Sequence, residues 1–94
     1  MRAVWLREFG PPSVLVAGEA PEPVAGPGQV VIEVAFANIT FVETQFRATG
    51  QGPFAGTPLP MVPGNGVGGL VGGRRVIAST GGSGGYAERV AVDE

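Results

Sequence analysis

Residues 30–47 constrain the fold most, because two incompatible periodicities meet inside them. The stretch reads Val-Val-Ile-Glu-Val-Ala-Phe-Ala-Asn-Ile-Thr-Phe-Val-Glu-Thr-Gln-Phe-Arg. In its first half Val30, Ile32, Val34 and Phe36 alternate with Val31, Glu33, Ala35 and Ala37. A period of two predicts a strand, and the first set gives it one strongly apolar face. The rule then changes. Thr40 is followed three residues later by Glu43, the spacing of a capping box, and Gly50 can end what starts there. A long strand therefore turns at residues 38–40 into a short helix. A strand-to-helix corner with polar side chains is a place for a small molecule to sit.

The chain has 94 residues, which predicts one domain over 1–94 with a modest core. Its 17 glycines and 9 prolines would fit a disordered segment. Val, Ile, Leu and Phe cluster in alternating runs, however, so short strands joined by tight turns are the better reading. The net charge is −2 and the six basic residues are scattered arginines, which gives nucleic acid no basic stripe to bind. Cysteine and histidine are both absent. That excludes a disulfide, a thiolate nucleophile, a Ser-His or Cys-His pair and the usual zinc site. No apolar run approaches membrane-spanning length and no leader-like segment opens the sequence, so the expectation is a cytoplasmic protein that does not engage a membrane.

Taken in order, residues 2–7 and 14–19 predict two strands that can pair with each other, with a turn at Phe9, Gly10, Pro11 and Pro12. Residues 20–28 form an extended, proline-biased connector. Residues 50–63 form a loop with four prolines, in which Phe54, Leu59 and Met61 are apolar enough to cover something. Residues 67–71, 74–80 and 86–92 predict further strands. Gly72-Gly73 joins the first two as a two-residue hairpin turn requiring positive φ. The run 81–85 reads as a turn, with close approach of another segment or a ligand as the alternative. Gly64, Gly66 and Gly69 spell a dinucleotide fingerprint, but no helix can begin amid such glycine density, so that reading is rejected.

The order of these pieces resembles the N-terminal, GroES-like catalytic domain of the medium-chain dehydrogenase/reductase superfamily, in its zinc-independent quinone oxidoreductase branch. The match is carried by Arg2-Ala-Val with residues 9–15, Glu22-Pro23 with 26–34, residues 38–47 and 60–64, Arg75-Val76, and Gly84-Gly-Tyr-Ala-Glu88. The resemblance implies a mainly β fold, a partly open GroES-like β-barrel with one short α-helix. It implies hydride transfer from NADPH to quinones or enones, in a cleft between this domain and a Rossmann domain that these 94 residues do not include. Zinc-dependent cousins carry a cysteine near the corner and a His-Glu pair after Pro63-Gly64. Here Asn65-Gly66 stands there, so no metal is expected. Relatives of the quinone branch often have asparagine at the position of Thr40 and an aromatic residue at that of Gln45. They also have about a dozen more residues where Gly72-Gly73 closes the hairpin.

On this resemblance the substrate- and nicotinamide-side candidates are Asn38, Thr40, Phe41, Gln45, Pro63, Gly64 and Asn65, with no convincing catalytic acid or base. Thr40 caps the helix or points at a ligand. Asn38 contacts a ligand or adopts a turn conformation. Glu43 is read as part of the helix cap, paired with Arg47 four residues on, in preference to a general base. Phe41 and Phe46 are read as core or cleft lining, and Trp5 and Tyr86 as packing residues with hydrogen-bonded polar tips. Arg74 and Arg75 are read as solvent-facing. Two function classes follow. One is the substrate-side domain of an NADPH-dependent quinone oxidoreductase-like protein with little or no reductase activity as an isolated chain. The other is a standalone or engineered minimal β-barrel that binds a hydrophobic small molecule or self-associates through strand edges.

Overall fold

The computed structural model describes residues 1–53 and 55–93. Strand β1 (Arg2–Leu6) pairs antiparallel with β2 (Leu15–Glu19) to form a two-stranded sheet, and a 3-10 turn at Pro12–Val14 leads into β2. The second sheet has four strands: β3 (Gln29–Ala37), β4 (Gly66–Val71), β5 (Arg74–Ser79) and β6 (Arg89–Asp93), in the order β5-β4-β3-β6. Helix α1 (Phe41–Thr49) follows β3. The expected mainly β, one-helix architecture is present, as two open sheets and not as a closed barrel. Isolated bridges join β1 to two later segments, Ala3 opposite Ala87 and Leu6 opposite Met61.

The strand-to-helix corner forms as its residues dictate. The Thr40 hydroxyl accepts a hydrogen bond from the Glu43 backbone N–H at 3.3 Å, and Gly50 closes the helix in the left-handed region at φ 75°. The turn at Gly72-Gly73 has φ of 55° and 83°, both positive as a type I′ hairpin requires.

Strand β3 departs from the simple alternation. Its pairing with β4 shifts register between Val34 and Phe36, leaving Ala35 as the extra residue of a bulge. Before the bulge Ile32 is buried; beyond it the parity flips. Ala37 joins Val34 against the core of Ile32, Val67, Val90 and Val92, while Phe36 is 58% exposed. The apolar face expected to include Phe36 therefore ends at Val34. The Phe36 ring lies over Gly68, where an added Cβ would overlap it.

A second cluster of Leu6, Phe46 and Met61, with Val14, Leu15 and Leu59 packed on it, joins α1 to the N-terminal hairpin. Leu59 and Met61 thus cover the base of the helix, as the 50–63 loop suggested; Phe54 lies outside the described residues. Phe9 stacks edge-on against Phe46 with ring centroids 5.3 Å apart. Trp5 donates its ring N–H to the Glu19 carbonyl at 3.0 Å. The strand expected over 86–92 begins only at Arg89. Its missing start pairs elsewhere: Val4 N–H donates to the Tyr86 carbonyl and Glu88 N–H to that of Arg2, whereas the Glu88 carbonyl accepts from Val34 N–H. The chain changes sheets at Glu88.

Candidate functional site

The glycines at 64 and 85 build the inner wall of the site. Gly85 N–H donates to the Gly64 carbonyl at 2.9 Å, flanked by Tyr86 N–H to Pro63 and Gly84 N–H to Val62. A Cβ on Gly64 would lie 2.8 Å from the Gly85 Cα, and one on Gly85 would lie 2.8 Å from the Gly64 oxygen. The glycine run is thus a place where two backbones touch, the second of its two sequence readings. The Thr80 hydroxyl adds a bond to the Gly64 carbonyl.

This contact brings the 63–65 loop and Tyr86 beside the first turn of α1. There Glu43 is only 8% exposed. One carboxylate oxygen accepts from Asn65 N–H at 3.0 Å and the other from the Tyr86 hydroxyl at 2.8 Å. Glu43 is therefore more than a cap: its backbone serves Thr40, and its side chain clamps three elements together. The expected Glu43–Arg47 pair is replaced. Arg47 donates to the Gly10 carbonyl, and its own carbonyl accepts from Gly10 N–H, so it anchors the turn before β2. The Tyr86 hydroxyl is pushed above its ordinary range, first by burial, then by its hydrogen bond to Glu43 and that carboxylate's charge, with Arg47 opposing.

The sequence candidates divide among three places. Pro63 and Gly64 line a cavity of about 250 Å³ together with Leu6, Leu15, Ile39, Glu43, Phe46, Arg47, Met61 and Tyr86. Phe41 and Gln45 lie on the opposite side of α1, in a shallow groove with Val42, Gln51, Gly52 and Pro53. Asn38, Thr40 and Asn65 lie at the corner between them. Asn38 has an exposed side chain, and its N–H continues the ladder to the Gly66 carbonyl at 2.8 Å without positive φ. Phe41 is 76% exposed and Ile39 74%, so the corner presents two large apolar side chains to solvent. Phe41 is not core; Phe46 is. Glu43 and Tyr86 are the members of the site that sequence reading left out of it. The only signal for them was the pairing of a buried-face carboxylate in a first turn with a tyrosine after a glycine run.

The corner offers apolar surface and neutral hydrogen-bonding groups, which suit a flat ring bearing a carbonyl or amide. Among the described residues, no group of three or more acidic residues could hold a metal ion, and no helix is long and apolar enough to cross a membrane.

No family model and no curated protein matches the chain. Solved structures do. The quinone oxidoreductase of Thermus thermophilus, described also in complex with NADPH, is 36% identical, with a TM-score of 0.86 over 99% of this chain and 29% of its own. The mycobacterial protein Rv1454c, solved with NADPH, is 32% identical with a TM-score of 0.79 over 99% and 31%. Human synaptic vesicle membrane protein VAT-1 homolog-like protein is 26% identical with a TM-score of 0.88 over 99% and 33%. The chain spans about a third of the length of each of these three structures.

Proposed function

We propose, because the chain matches the N-terminal GroES-like domain of the quinone oxidoreductases of the medium-chain dehydrogenase/reductase superfamily over 99% of its length, that it is the substrate-side domain of an NADPH-dependent quinone oxidoreductase-like protein. That whole-length match to proteins described with NADPH is the observation that carries the reading. Residues 1–94 act as one domain in it, in the cytoplasm, and present one wall of a cleft whose substrate is a quinone or enone.

The residues fit one end of the cofactor. Ile39 and Phe41 give a nicotinamide or quinone ring an apolar face, and Asn38, Thr40 and Gln45 surround it with neutral polar groups. The corner provides no cation for the phosphates, which the reading assigns to a second domain. Bound NADPH supplies the hydride. The Thr40 oxygen accepts from Glu43 N–H and keeps its own proton free to donate to a substrate carbonyl or the nicotinamide amide. Pro63, Gly64 and Asn65 shape the floor beside it, with Asn65 fixed by Glu43. No side chain at the corner is a proton donor of suitable acidity, so protonation falls to water or the substrate. Catalytic zinc has no place in this reading, since the sequence holds neither cysteine nor histidine.

Titrating the labelled chain with NADPH and a simple quinone tests this. Amide shifts are expected at residues 38–45 and at Gly64 and Asn65, with little or no NADPH oxidation. Shifts confined to other faces, or robust turnover by the isolated chain, would overturn it.

Self-association is a second reading, favoured by one observation. Strand β5 is a sheet edge whose Ile77 is 83% exposed, beside the exposed Phe36 and Leu70. A second copy pairing along β5 would cover all three. A concentration-independent monomer in size-exclusion chromatography would remove this reading.

A further inference from the structure

We infer that the cavity between α1 and the N-terminal hairpin is a binding site for a small neutral ring carrying a hydroxyl group, of the phenol class. It borders the corner where the reductase reading places its substrate, sharing Ile39, Pro63 and Gly64 with it, but opens on the other side of α1 from the groove of Phe41 and Gln45. The two sites use opposite faces of α1: Glu43, Thr44, Phe46 and Arg47 face the cavity, whereas Phe41, Val42 and Gln45 face the groove.

Three properties define the ligand. The first is size. The cavity measures about 250 Å³, and roughly 150 Å³ of apolar space already suffices for benzene. One ring with a small substituent fits; a nucleotide does not. The second is the apolar wall of Leu6, Leu15, Ile39, Phe46 and Met61, which selects a hydrocarbon body. The third is the polar anchor. Each Glu43 oxygen accepts one hydrogen bond from the protein, Asn65 N–H on one and Tyr86 O–H on the other. A carboxylate has about four acceptor positions, so capacity remains for a donor from a ligand. The negative charge rejects carboxylates and phosphates. Arg47, also in the lining, gives one N–H to Gly10 and has others to spare, so a group that both donates and accepts is favoured over an amine. A hydroxyl is such a group.

The test uses the 94-residue protein, 4-methylphenol and toluene, followed through the methyl resonances of Leu6, Leu15 and Met61. Saturable shifts are expected for 4-methylphenol, with affinity at least about tenfold above that of toluene, since a hydrogen bond to a charged group separates them. Glu43→Gln should remove most of that preference. Tyr86→Phe frees one carboxylate oxygen and should tighten 4-methylphenol binding. Leu15→Phe should fill the space and abolish binding of both. Equal affinity for the two probes, shifts mapping to Phe41, Val42 and Gln45 instead, or no change in Tyr86→Phe would overturn the assignment. Because the probe is no electron acceptor and the methyls lie away from the groove, the outcome is separate from that of the quinone titration.

Discussion

Replacing Glu43 by alanine should cost about 2–4 kcal/mol of folding stability. The figure is built from the two donors it strands. Asn65 N–H and the Tyr86 hydroxyl each give a hydrogen bond to a carboxylate, at 3.0 and 2.8 Å, in a part-buried setting. Bonds to charged groups are worth about 1.5–3 kcal/mol when buried, and partial burial lowers each to about 1–2. Loss of an acidic residue from the first helical turn adds about 0.3–1 kcal/mol. Against this, relief of the desolvated carboxylate returns part of the cost. A domain of this size has about 5–15 kcal/mol in total, so the loss is large. In urea, with an m-value of about 1.5 kcal/mol/M, the midpoint should fall by about 2 M with the slope unchanged. Tyr86→Phe should cost about 1–2 kcal/mol, and the double variant should lose about 1 kcal/mol less than the sum of the singles. A loss under about 0.5 kcal/mol for Glu43→Ala, or strict additivity, would refute the clamp.

Thr40→Ala should lower stability by about 1 kcal/mol through the lost N-cap, a shift visible in the same urea titration. Gly69→Ala should be far worse than Gly73→Asn. A Cβ at Gly69 would overlap the Glu33 carbonyl oxygen, opposite the bulge, whereas Gly73 faces open space and asparagine tolerates its φ; comparing the two thermal midpoints tests this. The chain has one tyrosine, so tyrosinate absorbance reports Tyr86 alone. The folded state holds its proton more tightly than the unfolded chain does. Its stability contribution is therefore whole below tyrosine's ordinary value of about 10 and declines as pH rises beyond it. Tyr86→Phe should remove that alkaline loss.

Much of the fold was legible because its signals are local. Thr40, Glu43 and Gly50 state a helix start and stop within one short stretch, and Gly72-Gly73 states a hairpin turn. The bulge at Ala35 was not, although Gly68-Gly69 opposite it was a hint, since glycine within a strand often marks a bulge or a close approach. Phe36 was misplaced for that reason alone. The clamp was hidden by a different cause. Asn65, Tyr86 and Glu43 are far apart in sequence, and only the packing of Gly64 on Gly85 brings them together. A first-turn glutamate reads as a cap because the cap is local and the clamp is not. The candidates at the corner were read from residue order, and the structure spreads them over a cavity wall, a corner and an outer groove.

The proposal that this chain forms the substrate-side wall of a quinone reductase cleft is tested most directly by exchange. The 94 residues would replace the first domain of the Thermus thermophilus quinone oxidoreductase, the matching 29% of that chain, and quinone-dependent NADPH oxidation would be measured. The account predicts measurable turnover that falls when Thr40 is replaced by alanine. A folded, NADPH-binding chimaera without turnover would contradict it.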